Sequence, residues 1–461
     1  MSTSHHRALD LRRLWTSLQR EHAGGNRRYS SRGPRLLKAL RPPGEPEATG
    51  LAALGQACVH VETRVKRQVR SIRLYAQPAL LGTVCLLAAA CAGDGHPPAE
   101  PLFSGNPADF TWTLPTGWTP PSVPADNPMS PAKVELGRRL FYDTRLSGNG
   151  GFSCASCHRQ EFGFADARNI PVGSTGEPHP RNSMGIANSA WLTLFNWADP
   201  LTPSLEQQAL VPMFGDRPVE LGLKGQEAAL LDRIRAVSLY RTLFAASFAG
   251  QPDPVTVPNL TRALAAFERT VIAIDSPYDR AQRGQAGAMS AAAVRGEQLF
   301  SSAELACAQC HPAPFFTTAA ELVGTGGATG TTFANNGLYN VGGDGSYPTG
   351  NRGLIDRTGQ PDDMGKFRVP SLRNLAFTFP YMHDGSISTL DEVVEHYARG
   401  GRVIVTGPNA GDGRLSPRKD PRIRAHTLTT QDKGDLVAFL RSLSDSALVT
   451  APRFANPGPT R

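Results

Sequence analysis

Apolar positions recur at helical spacing in several stretches of the chain. Leu260, Leu264, Phe267 and Val271 predict the core face of one helix. Leu390, Val393, Val394 and Tyr397 form a second stripe behind Thr389. That residue can cap a helix running through Ala398 and ending at Gly400-Gly401. Asp432 to Leu443 predicts a closing helix with Leu436, Phe439, Leu440 and Leu443 on one side. Two further stretches resemble each other. Met129-Ser130 leads to Val134, Gly137, Leu140 and Phe141, and Met289-Ser290 leads to Val294, Gly296, Leu299 and Phe300. Each copy reads as one amphipathic helix, so the body is expected to be an internal duplication. Strand signals are sparse, and the Gly- and Asn-rich residues 324–353 predict a long irregular loop. The expected fold class is mainly α.

Each helix of the duplication feeds the same short motif. The first reaches Cys154-Ala155-Ser156-Cys157-His158 and the second Cys307-Ala308-Gln309-Cys310-His311. C-x-x-C-H is the attachment signature of a c-type haem. Two thiols one turn apart can each add to a haem vinyl group, and the following histidine can then bind the iron. Zinc ribbons place their two cysteine pairs about 15–20 residues apart, much closer than these. A thioredoxin-like site has no use for the histidine. The expectation is two covalently bound haems c, one in each of two cytochrome c-like domains in tandem, residues 126–285 and 286–445, with 446–461 as a tail.

Charge and the remaining cysteines describe the other end of the chain. Residues 1–73 hold 15 Lys/Arg against 5 Asp/Glu, and the remainder holds 33 against 35. The net charge of +8 is therefore N-terminal. The body carries no basic, aromatic-interleaved surface, which argues against nucleic acid as a partner. Residues 1–68 are expected to be disordered, or translated from a start codon placed too far upstream. Residues 69–91 read as a signal peptide: Arg70 and Arg73, an apolar run from Pro78 to Ala90, then Cys91. Leu87-Ala88-Ala89-Ala90-Cys91 is similar to a bacterial lipoprotein signal, which would make Cys91 a lipid anchor in the periplasm; plain cleavage after a small residue is the alternative. Residues 92–125 are Pro- and Gly-rich and read as a tether.

Several longer motifs extend the comparison. They are Pro180-Arg181-Asn182, the run from Ser204 to Pro212 with Pro218-Val219-Glu220, Ala266-Phe267-Glu268-Arg269-Thr270, and the stretch from Lys366 to Asn374 continuing through Pro380 to Gly385. Together with the haem motifs they resemble the bacterial dihaem cytochrome c peroxidase and MauG superfamily over residues 126–445. Val172 to Gly176, His179 to Arg181 and Pro212 to Phe214 look most like its MbnH-like branch.

The resemblance implies an enzyme that uses hydrogen peroxide at the first haem. Gln208, Pro212 and Glu220 would form the distal pocket there. A carboxylate beside the iron can move a proton to the departing peroxide oxygen. Peroxidases of the family carry a distal histidine where this chain has Ser174, so an open first haem is implied; His179 nearby reads as a structural histidine. Candidates for the sixth ligand of the second iron are Met382, His383, His396 and Tyr397. Tyr397 lies on the helix stripe and matches the MauG-like tyrosine. A phenolate favours ferric and higher states, whereas methionine raises the potential. Trp197 matches a tryptophan between the haems. Asn182, with the carbonyls of Thr378 and Pro380, matches a Ca²⁺ site suited to a hard cation. The implied activity is a high-valent dihaem state that oxidises a residue, tryptophan by the MbnH-like match, on an exported, MbnP-like, copper-binding protein. A peroxidase fed by a small cytochrome and a non-catalytic electron carrier are the alternatives.

Overall fold

The structure, a computed structural model, describes residues 110–322 and 332–459. The expected start region, signal peptide and Cys91 lie outside the described residues, as do residues 92–109 of the predicted tether. The main helices are α1 (Pro131–Tyr142), α2 (Leu205–Gln208), α3 (Leu210–Phe214), α4 (Val257–Thr270), α5 (Pro277–Gln282), α6 (Ala291–Ser301), α7 (Cys307–Cys310), α8 (Leu390–Ala398) and α9 (Thr430–Ser442). Two further helices, Glu227–Arg235 and Ser238–Ser247, cover the first half. Two antiparallel pairs of two-residue strands interrupt the loops. β1 (Phe333–Ala334) pairs with β2 (Phe367–Arg368), Phe333 opposite Arg368, and β3 (Val403–Ile404) pairs with β4 (Gly411–Asp412).

Local signals set the helix starts. Ser130 accepts the Lys133 N–H at 3.2 Å and Pro131 supplies a preset first turn for α1. Thr389 and Glu392 close a reciprocal capping box on α8. The α4 stripe is buried throughout at Leu260, Leu264, Phe267 and Val271.

The two halves repeat one helix crossing. α1 packs on α4 through Gly137, where an added Cβ would overlap the carbonyl oxygen of Ala263; α6 packs on α9 through Gly296, where it would overlap that of Asp435. A missing side chain at the crossing lets the two backbones touch. One turn on, Phe141 meets Phe267 with ring centroids 5.2 Å apart, and Phe300 meets Phe439 at 5.1 Å. The copies differ in one respect from the sequence pattern. Val134 is buried, but Val294 is 42% exposed and Ala293 takes the inner position. Ser290 stands one residue closer to Gly296 than Ser130 does to Gly137, which rotates Val294 outward.

Both ends of the described chain fold onto this frame. The tether was expected to run to residue 125, yet Phe110 packs on the first core and Leu114 and Trp118 on a cluster around Trp191 and Phe315. The expected tail is also structural. Leu448 and Phe454 are buried in the first core, and the Phe454 and Ala455 carbonyls accept from Tyr142 Oη at 2.7 Å and Arg138 Nη1 at 2.8 Å. Apolar side chains spaced by Pro and Gly hid these contacts, because neither segment has a period. Between the halves, Arg373 and Asp279 of α5 form a buried bidentate pair at 2.8 and 2.9 Å.

Candidate functional site

The two motifs are held alike. Cys154, Cys157, Cys307 and Cys310 are all free thiols. His158 Nδ1 donates to the Phe164 carbonyl at 3.0 Å and His311 Nδ1 to the Phe316 carbonyl at 2.9 Å. Both phenylalanines adopt left-handed backbone, φ 61° and 54°, which turns their carbonyls back toward the histidine. With Nδ1 committed, each imidazole keeps Nε2 for a metal. Burial lowers both imidazoles, His311 to about 4, so they are neutral at pH 7, the ligating form.

Around the first motif, α2 and α3 run almost continuously, so Gln208 and Pro212 stand one helical turn apart on the same side. The segment after Pro212 folds straight back. Leu221 N–H donates to the Pro212 carbonyl at 2.9 Å, which brings Glu220 beside it despite the intervening loop. Ser174 N–H donates to the Glu220 carbonyl at 2.7 Å, and Val219 N–H to Glu177 Oε2 at 3.1 Å. Burial alone raises the Glu220 carboxyl to about 7. Its charge is felt at both Cys154 and Cys157, placing it at the first motif. His179 packs beside the Val219 carbonyl.

A second carboxyl was missed by sequence reasoning. Glu268 of α4 is buried and raised to about 8, chiefly by burial, and it also acts on Cys154. Its neighbour Arg269 does not neutralise it, because Arg269 pairs with Glu206 at 2.7 and 3.0 Å. Glu268 sits inside a helical motif whose period marks it only as interior; a charged residue at such a position was the available signal.

Around the second motif lies a cavity of about 280 Å³, far larger than a packing void. His311, Cys307, Cys310, Tyr397, Met382 and Arg368 are on its wall. Burial pushes the Tyr397 hydroxyl up to about 12, partly offset by a hydrogen bond with Asn336. Asn336 Nδ2 also reaches Met382 Sδ at 3.4 Å, and its carbonyl accepts from His396 Nε2 at 3.0 Å. His396 is thereby turned away from the cavity, while His383 stacks on Phe367 with centroids 3.6 Å apart. Of the four candidate ligands, Tyr397, Met382 and His383 are on the cavity wall, and His383 Nε2 has no hydrogen-bond partner. Asn336, which contacts the first two, lies in a Gly- and Asn-rich loop with no periodicity to single it out.

Trp197 lines the same cavity and donates from Nε1 to the Asn182 carbonyl at 2.8 Å. Asn182, Thr378 and Pro380 line it too. Asn182 Nδ2 donates to the Arg168 carbonyl at 3.2 Å. Among the described residues no group of three His, Cys, Asp or Glu forms a metal site.

The residues fit covalently attached haem. Beyond thiols and neutral imidazoles, the cavity wall holds Arg368, fully buried, lowered to about 10 by burial and facing no carboxylate. Its Nε and Nη1 have no hydrogen-bond partner, and Nη2 contacts Met184 Sδ at 2.7 Å. A buried guanidinium without a counter-charge is costly. Haem brings two carboxylates to such a wall.

Fold and site together define a dihaem c-type oxidoreductase. The chain belongs to the di-haem cytochrome c peroxidase and MauG family. The family pattern "Di-haem cytochrome c peroxidase" matches residues 131–287. The chain is 37% identical over 404 residues to the cytochrome-c peroxidase IdrP1 of Denitromonas iodatirespirans, covering 82% of this chain and 93% of that one. It is 32% identical over 337 residues to the methylamine utilization protein MauG of Methylorubrum extorquens, covering 72% and 85%. A solved MauG-like protein associated with microbial copper homeostasis superposes with a TM-score of 0.73 at 46% identity, over 76% of this chain and 99% of that one. The diheme peroxidase BthA of Burkholderia thailandensis superposes with a TM-score of 0.55 at 25% identity, over 71% and 90%. The chain is a peroxide-dependent di-haem oxidoreductase, and its family implies two haems c.

Proposed function

We propose that this enzyme draws oxidising equivalents from hydrogen peroxide and uses them to oxidise a tryptophan on an exported, copper-binding partner protein, acting in the periplasm, with Cys91 as a lipid anchor. His158 and His311 bind the two irons, each in its own cytochrome c-like domain. Bound haem supplies the iron chemistry that cleaves the peroxide O–O bond and holds the resulting oxidising equivalents. The Pro212 side chain has no donor atom and would leave room for peroxide at a haem held by His158. Glu220, raised to about 7, takes a proton from incoming peroxide and returns it to the departing oxygen. Gln208 orients the peroxide. Tyr397 ligates the second iron through its phenolate, and Trp197 carries charge between the haems. Asn182 and the carbonyls of Thr378 and Pro380 bind one Ca²⁺.

The observation that carries this reading is Tyr397 on the wall of the His311 cavity, fixed by Asn336. A hard oxygen donor favours oxidised iron over electron uptake. The copper-binding partner is supported by the likeness to the copper-homeostasis protein. A second reading, a peroxidase fed by a small cytochrome, is favoured by Met382 on the same wall and by the likeness to IdrP1. The test is to incubate holoenzyme, peroxide and the product of the neighbouring gene, then map the partner by peptide mass spectrometry. Oxygen gained on a partner tryptophan supports the first reading. An unmodified partner with rapid oxidation of a reduced small cytochrome replaces it with the second.

A further inference from the structure

A stack of aromatic rings lies behind the wall of the second haem cavity and reaches the surface. Trp191 and Phe315 are each only 3% exposed and lie 5.3 Å apart by ring centroid. Trp118, partly exposed on the segment that wraps the body from residue 110, closes the triangle at 5.6 Å from Trp191 and 5.3 Å from Phe315. The three rings are not on the cavity wall themselves, but residues adjoining them are. Leu192, next to Trp191, lines it; so does Ser371, whose hydroxyl donates to the Phe315 carbonyl at 2.6 Å. Arg373 also lines it, and its guanidinium carbon lies 5.4 Å from the Trp118 ring centroid. Phe315 precedes Phe316, the residue whose carbonyl holds His311 Nδ1.

We infer that Trp191 and Trp118 form an outlet through which oxidising equivalents leave the second haem site, with Trp118 as the station a partner protein touches. Electron tunnelling weakens exponentially with distance, so two hops between rings in contact outrun one long jump. Tryptophan is the most readily oxidised of these rings along with tyrosine; Phe315 serves as packing and as a bridge. The nearby Arg373 cation would oppose a positive ring, but its buried pair with Asp279 cancels that charge. Trp118 reaches solvent, so an oxidised indole there can release its N–H proton.

The electrons balance. Hydrogen peroxide takes up two electrons and two protons to give two waters. In each of two transfers Trp118 passes one electron inward through Trp191 and one proton to solvent. It regains one electron and one proton from the oxidisable residue in contact with it. The inference rests on the proposed function for the identity of that last donor, and not for the route.

The test uses holoenzyme and hydrogen peroxide with no partner, in the presence of 2-methyl-2-nitrosopropane, followed by peptide mapping of the spin-trap adducts. Trp112 is the control: it is also partly exposed on the same segment but pairs with Phe110 and is not part of the stack. The expected result is an adduct on Trp118, lost in Trp118→Phe, strongly reduced in Trp191→Phe and unchanged in Trp112→Phe. Adducts on other residues with Trp118 clean would overturn the outlet, as would a Trp118 adduct undiminished in a folded Trp191→Phe. If the buried variant does not fold, Trp118→Phe still decides. Partner tryptophan oxidised at the wild-type rate by Trp118→Phe overturns the outlet and leaves the proposed substrate standing. A Trp118 adduct without any oxidised partner leaves the outlet and removes the substrate.

Discussion

The two halves share a scaffold and differ in what they bring to it. Each has a glycine-mediated helix crossing, a Phe–Phe contact one turn on, and a histidine held by a left-handed phenylalanine. Around the first motif the added groups are carboxyls, Glu220 and Glu268, both kept protonatable near neutrality by burial. Around the second they are a phenol, a thioether and an unpaired guanidinium. On the proposed function, proton handling belongs to one half and electronic tuning to the other. The difference arises partly in the irregular segments and partly on the helices, since Glu268 stands on α4 where α9 has Leu440, and Tyr397 stands on α8.

The comparison breaks most severely at the shared crossings. Gly137→Val and Gly296→Val each force a side chain into a carbonyl oxygen, at a cost of about 3 kcal/mol. Each is expected to disorder its own half first, so that the absorbance of one haem changes before the other during denaturant titration. Simultaneous loss of both would mean the halves do not unfold separately.

Next is Glu220→Gln, expected to slow peroxide consumption roughly 10²–10⁴-fold in stopped-flow mixing. In the parent enzyme the rate should rise with pH through about 7, because the ionised carboxylate is the form that accepts the peroxide proton. A flat profile, or a variant as fast as the parent, removes Glu220 from proton transfer.

A smaller change is expected at the second site. Tyr397→Met should raise the potential of that haem, alter its spectrum and leave the first spectrum unchanged. The variant should also oxidise a reduced small cytochrome faster than the parent. An identical spectrum would show that Tyr397 is not a ligand.

The last contrast is the pH dependence of stability. Burial raises the Glu268 carboxyl from 4.5 to about 8, so the folded state keeps a proton that the unfolded chain has lost. Stability from this group is full below about pH 4.5 and falls as pH rises through 8, by at most about 1.4 kcal/mol per unit. Melting curves of Glu268→Gln should be flatter over this window, and an unchanged slope would show Glu268 to be paired in solution.

Much of this was legible from pattern. The stripes of α4, α8 and α9 and the duplicated glycines set the helical frame, and a 3.6-residue period singled out Tyr397 over His396. What stayed hidden shares a physical cause. Asn336, Arg368, Trp118 and Phe454 act through long-range contacts made by loop residues, and loops carry no period. Arg368 was visible within a motif, but only the folded cavity shows it to lack a partner. Glu268 was concealed by the opposite effect: its helix pattern is so regular that an ionisable side chain inside it passed as filler.

The return of the C-terminal segment has a consequence for assembly. Tyr142 and Phe454 are 312 residues apart in the chain, yet they close the same core. The first half is discontinuous, whereas the second is completed within a single run from α5 to α9. A chain emerging from its N-terminus presents Cys154 and Cys157 long before the residues that seal them in arrive. The first motif is therefore closed in only when residues 448–455 have docked, and that segment acts as the latch on its half.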